Sequence, residues 1–414
     1  MEIKIPRLST IVRHITDRNI ATAILVILNI QIVFIEGYTI SPVKVGMMAL
    51  MPFIFLLRVP YMSKAVVLGM LYLINIILSA LFHAATFRLS TIGYLGMFVI
   101  TFFTFYNYVY KGVFSLEYFI RFVKAMILAY SICLICQQVL ILAGIRFMPL
   151  VNLNNQFFLS INKLPSLSLE PSHTARILGI LYYAYLKCNE YKQGSPVNIK
   201  QIFGKEHLWV TLAFLWPMLT MGSGTAFICL GILSLYFMKG AYLLLSIPVF
   251  IGVYYTLSFF EVQQFQRASS VVEATLTGNS QNIIETDGSA ASRITPMLNT
   301  IQAIDLNDFD TWFGHGVDYN LQEKKKGGKE LIGEINDYGL IAYILGLILV
   351  FSCAIEFRSL ATIMYFLGVG GGTGNIAYAW GSLMIFACIR YFHHHAPSDR
   401  TMTDETAQMQ GDDI

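Results

Sequence analysis

The sequence predicts an all-α polytopic integral membrane protein with about 12 transmembrane helices, each requiring about 20 apolar residues. Hydrophobic residues make up 56% of the 414 residues, charged residues only 13%, and the mean hydropathy is +0.60. Soluble domains carry about 25% charged residues, so this composition excludes an ordinary soluble protein. The predicted spans cover residues 20–37, 43–58, 64–82, 90–110, 120–144, 172–187, 208–221, 224–239, 241–260, 333–353, 359–371 and 376–392.

The basic residues between the spans predict that both termini are cytoplasmic. Short cytoplasmic loops carry an excess of lysine and arginine. The loops assigned to that side hold Arg58, Lys64, Lys111, Arg121, Lys124, Lys187, Lys192, Lys200, Lys205, Lys239 and Arg358. Residues 1–19 then form a cytoplasmic segment, residues 20–392 the membrane domain, and residues 393–414 a cytoplasmic tail that we expect to be disordered. His393, His394 and His395 are either metal ligands or a solvated helix flank.

Two polar segments are predicted to face outward. Residues 145–170 form the first sizeable external loop, and residues 261–332 form a long external loop that is partly helical. Loops of the second length are uncommon unless they are functional. Two apolar stretches, 208–239 and 360–392, each fit either one tilted span or two short helices. We interpret each as two helices, the first pair being joined by a tight external turn.

Segment 169–176, Leu-Glu-Pro-Ser-His-Thr-Ala-Arg, enters an apolar span. Pro171 suits the first turn of a helix, with Ser168 or Glu170 as the N-cap. Arg176 then lies at membrane depth, where a cation costs at least about 2.5 to 3.5 kcal/mol. Such a cation marks a functional site by default, the alternative being an arginine that snorkels to the interface.

Further candidates lie in the long loop and after it. Arg293 follows Ser292 early in a predicted loop helix, where a guanidinium and hydroxyls suit phosphate oxygens; the alternative is a solvated charge. His315 stands between two glycines, which predicts a tight turn that brings the backbone close to another group; the alternative is a plain glycine turn. The tenth span opens at the outer boundary with the polar side chains Glu334, Asn336 and Asp337, although helix dipoles alone favour acids there.

Several classes of site are not indicated. The sequence has no Walker loop, dinucleotide fingerprint, H-E-x-x-H motif or nucleophile elbow. Asp308-Phe-Asp310 is a short and frequent pattern, and Cys133 and Cys136 lie in an apolar helix as small fillers. The basic residues are scattered among membrane flanks, so nucleic acid binding is not expected. No metal and no cofactor are predicted.

The outward arginines, the carboxylates and the apolar scaffold predict a substrate with an anionic phosphate head and a lipid tail in the bilayer. Four motifs over roughly residues 160 to 350 resemble the O-antigen polymerase (Wzy-type) family and the related O-antigen ligases. The first two are Glu170-Pro171-Ser172 at the entry to a helix and Thr220-Met-Gly-Ser223-Gly-Thr. The others are Ser292-Arg293 followed by Phe313-Gly-His-Gly, and the helix that begins with the acid Glu334. The first five spans match only in hydropathy. The ligases usually show a histidine beside the asparagine that opens the late helix. Here the pair is Asn336-Asp337, which favours a polymerase.

The resemblance implies a membrane glycosyltransferase of the bacterial cytoplasmic (inner) membrane. It would polymerise undecaprenyl-pyrophosphate-linked oligosaccharide repeat units on the outer face into O-antigen, capsule or another exopolysaccharide. The lipid pyrophosphate is a good leaving group, so no metal is required. A chain-length regulator and a flippase are possible membrane partners.

The resemblance and the side-chain chemistry together assign roles to individual residues. Arg176 and Arg293 would hold pyrophosphate charge. Glu170 first, then His173 or His315, would accept the hydroxyl proton. The expected catalytic residues are therefore Glu170, His173, Arg176, Arg293 and His315. The expected substrate-binding residues are Ser172, Thr220, Ser223, Ser292, Asn336 and Asp337.

Other functions stay open. A transporter would use Arg176 and Glu170 to bind an anion or relay protons, and it predicts paired broken helices in two related halves. A flippase would spread charge along a central cavity. Ligase-type glycan transfer, or a glycosyltransferase using Glu36 in the first external loop, are further alternatives.

Overall fold

The protein is described here by a computed structural model. It describes residues 16–30, 41–58, 61–84, 87–145, 148, 163–238, 252, 255, 299–300, 304–317, 319, 333–369, 374 and 376–395. Every regular element within these ranges is helical. In chain order the helices are α1 (Asp17–Asn29), α2 (Pro42–Arg58), α3 (Lys64–Phe82), α4 (Leu89–Tyr110), α5 (Leu116–Leu142), α6 (Pro171–Gln193), α7 (Ile199–Ile202), α8 (Leu208–Thr220), α9 (Gly224–Ser234), α10 (Phe309–Phe313), α11 (Gly333–Cys353), α12 (Leu360–Ile363) with a π-helical turn over Met364–Val369, and α13 (Ala377–His395).

Four helices in the described part are long and apolar enough to cross a membrane: α3, α4, α5 and α11. Large apolar side chains on outer helices are open to the surroundings, as for Leu57 and Leu142 at 76% exposure and Trp209 at 74%. Such an apolar exterior suits lipid contact rather than water. The prediction of a helical membrane protein is confirmed at this level. The count of 12 spans and the cytoplasmic location of the termini remain predictions.

Helices α6 and α13 form the centre of the bundle. Every α6 residue between Thr174 and Leu186 is buried. Ring contacts pair the two helices in the same order along both: His173 with Tyr378, Tyr183 with Phe386, and Tyr191 with His393. The two helices therefore run parallel. Helix α5 runs antiparallel to α6, because Glu117 lies 3.8 Å from Lys192 whereas Gln137 bonds the segment that precedes α6.

The basic residues assigned to the cytoplasm by sequence gather at one end of the bundle, which we call the basic end. Lys111 donates to the Arg58 carbonyl (3.2 Å), and Lys187, Arg358 and Arg390 border one cavity. Helix α6 begins at the opposite end of the bundle. Basic residues gathered at one end are what the positive-inside rule predicts for the cytoplasmic end of a membrane protein, and the cytoplasmic location of the basic end stays a prediction.

The described part of the predicted stretch 208–239 contains two helices, α8 and α9, as predicted. Helix α8 begins beside Tyr185, where His207 bonds its hydroxyl, and ends at Thr220, which bonds Gln138 near the opposite end. Helix α9 returns, and Tyr236 beyond it bonds Glu190 near the basic end (2.8 Å). The two helices are therefore antiparallel, with the turn at the end where α6 begins. Each is shorter than a full span of about 20 residues, so their classification as spans remains a prediction.

Residues 360–392 also divide into two helical elements. Met364 lies 3.8 Å from the Cβ position of Gly179, and Ala361 lines the same cavity as Tyr183, one turn further along α6. Helix α12 therefore runs antiparallel to α6, whereas α13 runs parallel to it. π-helical turns within α-helices occur frequently at functional sites.

Several boundaries differ from the sequence prediction. Helix α1 ends at Asn29, where Ile30 adopts an extended conformation, rather than at residue 37. Helix α13 continues through His395, so the start of the predicted tail is helical. Apart from residues 252 and 255, the predicted span 241–260 lies outside the described residues, as does most of the external loop 261–332. Helix α10, within that loop, packs against α11.

Candidate functional site

The start of α6 is determined by its own sequence. Glu170 is the N-cap residue, with an extended backbone (φ −138°, ψ 148°), and Pro171 occupies the first turn. The Glu170 side chain does not cap the helix. Instead its Oε2 accepts a hydrogen bond from the Ser172 hydroxyl (3.2 Å) and lies 3.9 Å from His173 Nε2. Three of the predicted site residues therefore meet at the mouth of this helix.

The segment before α6 folds inward. Ser166 is fully buried, and both its backbone N–H (2.8 Å) and its carbonyl (3.0 Å) bond the side-chain amide of Gln137. Its hydroxyl donates to the Tyr130 carbonyl (2.6 Å) in the middle of α5. Irregular backbone at membrane depth is tolerated where protein satisfies its polar groups. Residues 164–168 of the predicted external loop 145–170 are thus buried inside the bundle, next to the start of α6.

Arg176 is buried, with 8% of its surface exposed. Its Nη1 donates to the Tyr378 hydroxyl, and the guanidinium carbon lies 5.7 Å from the centre of the Tyr378 ring. Among the residues that the structure describes, its Nε has no hydrogen-bond acceptor. Within the described ranges no carboxylate oxygen lies within 4.0 Å of the guanidinium. The side chain therefore does not snorkel to an interface, and its positive charge has no anionic partner there.

Tyr378 at the start of α13 joins His173 to Arg176. The His173 ring centre lies 4.6 Å from the Tyr378 ring centre, and the Tyr378 hydroxyl accepts from Arg176. Glu170, Ser172, His173, Arg176 and Tyr378 form what we call the Arg176 cluster. Glu170 lies beside His173, and His173 and Arg176 both contact Tyr378; the catalytic roles expected of these residues stay predictions. Tyr378 was missed, because no sequence pattern relates it to a helix about 200 residues earlier.

The hairpin residues Thr220 and Ser223 lie at the same end of the bundle as the cluster. The Thr220 hydroxyl accepts from Gln138 Nε2 (2.9 Å) and donates to the Trp216 carbonyl (2.8 Å). Trp216 Nε1 donates to the other side of the same amide (3.0 Å). Thr220 thus contributes to packing between α8 and α5. Ser223 is buried at the start of α9.

His315 and the predicted glycine turn dock on the first segment of α11. The His315 N–H donates to the Asn336 carbonyl (2.8 Å), and the Gly316 N–H donates to the Asp337 carbonyl (3.1 Å). A Cβ at Gly314 would lie 2.5 Å from the Asp337 carbonyl oxygen. The expectation of a close backbone approach is therefore confirmed, and its partner is the Asn336-Asp337 pair that the sequence singled out separately.

Helix α11 is broken where this turn docks. Gly339 has φ 86° and ψ 173°, a conformation essentially confined to glycine. Before the break, Glu334 is 7% exposed and accepts from the Tyr72 hydroxyl (2.6 Å). Tyr72 lies in the middle of α3, two turns deeper than Ser79, which contacts the Asp337 carbonyl (3.5 Å). Glu334, which the sequence placed at the outer boundary of the membrane, is therefore a buried carboxylate within the bundle.

The π-helical turn packs on α6 close to Arg176. The end of the Met364 side chain lies 3.8 Å from the Cβ position of Gly179, one turn beyond Arg176. Ser292 and Arg293, the predicted second cation site, lie outside the described residues, as does Glu36, so the distance from Arg176 to Arg293 stays a prediction.

Comparisons with protein-family models, with curated proteins and with solved structures return no match. The assignment of a function therefore depends on the residues themselves and on the resemblance stated above.

The contribution of the hydrogen bond between Arg176 and Tyr378 to the free energy of unfolding can be measured. Tyr378→Phe removes the acceptor of a buried charged donor, so we expect the free energy of unfolding to fall by about 1–3 kcal/mol. Tyr182→Phe is the matched control. In the described part of the chain its buried hydroxyl pairs with the neutral Thr211 hydroxyl (3.0 Å), so this change should cost about 1 kcal/mol. Denaturant unfolding in micelles measures both. In an Arg176→Met background the cost of Tyr378→Phe should disappear; an unchanged cost would exclude the pair as its source.

Proposed function

We propose that the protein polymerises undecaprenyl-pyrophosphate-linked oligosaccharide repeat units by metal-independent glycosyl transfer. The observation that carries the proposal is Arg176, a buried cation with an unpartnered Nε and no carboxylate partner in the described part of the chain. An intramembrane charge is costly unless it is paired. A pyrophosphate-bearing lipid would supply the missing anion.

The Arg176 cluster offers the groups that this reaction needs. An acceptor hydroxyl attacks the anomeric carbon of the growing chain, a new glycosidic bond forms, and the bond to the lipid pyrophosphate breaks. Arg176, held in place by Tyr378, would stabilise the negative charge that develops on the leaving pyrophosphate. Glu170 or His173, which lie at the exposed rim of the cluster, would accept the proton of the hydroxyl.

The membrane context of the proposal follows from the resemblance and from charge distribution. With the basic end in the cytoplasm, the Arg176 cluster lies toward the outer face of a bacterial cytoplasmic membrane. That is where lipid-linked repeat units would meet the site. A chain-length regulator and a flippase are the partners that such a polymerase would have, and the product would be a surface polysaccharide.

Transport is the second candidate, and one observation favours it. Helix α11 is broken at Gly339 and carries the buried Glu334 before the break. Broken helices with buried charges are typical of transporter binding sites. Under that function Arg176 and Glu334 would bind or relay charge, and no glycosidic bond would form.

One assay separates these functions. The protein, purified and reconstituted in lipid nanodiscs, is incubated with purified undecaprenyl-pyrophosphate-linked repeat units, and products are resolved by size. A polymerase yields a ladder of polymer and releases undecaprenyl pyrophosphate. A transporter or flippase yields neither product, and a ligase requires a different acceptor. Absence of a ladder with folded protein and intact substrate contradicts the proposed function.

A further inference from the structure

A second group of polar side chains meets at the basic end, far from the Arg176 cluster. There the turn after α11 contacts the end of α13. Glu356 Oε1 lies 2.7 Å from His393 Nδ1 and 3.4 Å from His394 Nε2, and the three ligand atoms all lie within 4.8 Å of one another. From the sequence alone, these histidines could be interpreted either as metal ligands or as the solvated flank of a helix.

The surrounding backbone holds this group in place. The Glu356 carbonyl accepts from the hydroxyls of Ser359 (2.6 Å) and Thr362 (3.1 Å), which fixes the turn. Arg390 on α13 donates to the Phe351 (2.6 Å) and Ile355 (3.0 Å) carbonyls at the end of α11. The two elements that carry the three side chains are therefore tied together without them, so the ligand positions are preorganised.

We propose that Glu356, His393 and His394 bind one zinc-class transition-metal ion. Two imidazoles and one carboxylate are ligands that Zn²⁺ accepts, with water completing a tetrahedral site. Bonds of about 2.0–2.2 Å place tetrahedral ligand atoms about 3.4 Å apart, so the closest pair must separate by less than about 1 Å. The three side chains are 34–56% exposed, and Glu356 and His393 border a cavity of about 350 Å³, so an ion and its water have access.

The neighbouring His395 provides a matched control. Its Nδ1 bonds the Tyr391 carbonyl (2.8 Å) and its ring stacks on the Tyr391 ring (4.2 Å). It therefore lies outside the group although it belongs to the same histidine run. A metal held by Glu356, His393 and His394 clamps the α11–α12 turn to α13, and this clamp is independent of the proposed glycosyl transfer.

The test measures Zn²⁺ binding to the full-length protein in detergent, after chelation and dialysis. Competition with a chromophoric chelator gives stoichiometry and affinity, and Co²⁺ substitution gives the visible absorption of a tetrahedral site. We expect one Zn²⁺ per chain, and weakening by about 10–100-fold or more in Glu356→Gln and in His394→Ala, the range seen when the shell of a metal site is altered. His395→Ala should bind like the wild type. Mg²⁺ should not compete, because it prefers octahedral oxygen ligands.

The outcomes separate a built site from a run of exposed histidines. Equal affinity in the wild type and Glu356→Gln would overturn the proposal, because the carboxylate would then contribute nothing. Loss of affinity in His395→Ala equal to that in His394→Ala would overturn it as well. Affinity that depends on Glu356 and His394 but not on His395 supports it.

Discussion

Replacing Arg176 by alanine is expected to lower the rate of polymer formation by about 100-fold or more, the loss typical when one charge-stabilising donor is removed from an active site. The reason is that the buried guanidinium is the cation best placed in the described part of the chain to meet a pyrophosphate. The measurement is the ladder assay in nanodiscs, together with polysaccharide chain length in cells. Arg176→Lys should restore only part of the activity, because an ammonium lacks the planar fork of a guanidinium.

Lys187→Ala is the matched control for this prediction. Lys187 is a second cation on the same helix, but it lies near the basic end and pairs with Glu190 (2.7 Å). Its removal should leave chain length unchanged. Full-length polymer from Arg176→Ala at wild-type protein levels would contradict the assignment of Arg176 to the site, even if the ladder assay shows that the wild type is a polymerase.

Gly339→Ala is expected to have the largest effect on stability. The backbone there is in a region that costs a residue other than glycine about 1–3 kcal/mol, and a Cβ would also clash with the Trp312 carbonyl. Relief of that clash requires the docked turn that carries His315 to move away from α11. We therefore expect the free energy of unfolding to fall by about 3 kcal/mol or more, since overpacking adds about 1–3 kcal/mol to the backbone term.

The control is Gly93→Ala in α4, where a Cβ would meet nothing within 4 Å. Alanine is favoured over glycine in a helix by about 1 kcal/mol, so this variant should be as stable as the wild type or more so. Thermal unfolding followed by tryptophan fluorescence, and limited proteolysis of the 304–317 region, measure the difference. Equal unfolding temperatures for the two variants would show that the turn does not depend on the glycine at the break.

Local features of the site were predictable because they depend on residues close in sequence. Pro171 and Glu170 determine where α6 begins, and three-residue spacing brings Glu170, His173 and Arg176 onto one helical face. The glycines around His315 predict a close approach of backbone because no other residue tolerates it. The polar break at Gly222 predicts the hairpin of α8 and α9. These inferences use only propensity, helical geometry and the steric limits of a Cβ.

Partners distant in sequence were not predictable. At a helix start, the negative charge of Glu334 could be stabilised either by the helix dipole or by a buried hydroxyl. Only the packing of α11 against α3 shows that the Tyr72 hydroxyl is its partner. The inward course of Ser166 depends on the amide of Gln137, an apolar-helix residue with no distinguishing pattern. Glu356 joins the histidines only because the turn after α11 packs on the end of α13.

Composition and local spacing are enough to predict an apolar helical protein with an arginine near the start of a helix, at a depth where its charge is costly. What surrounds that arginine depends on how the helices pack. Tyr378 comes from a helix some 200 residues later, and no described carboxylate reaches the charge. The free energy of a buried charge depends on its neighbours, and only the packed bundle specifies those neighbours. Burial without a described carboxylate partner therefore makes Arg176 a candidate for binding an anion.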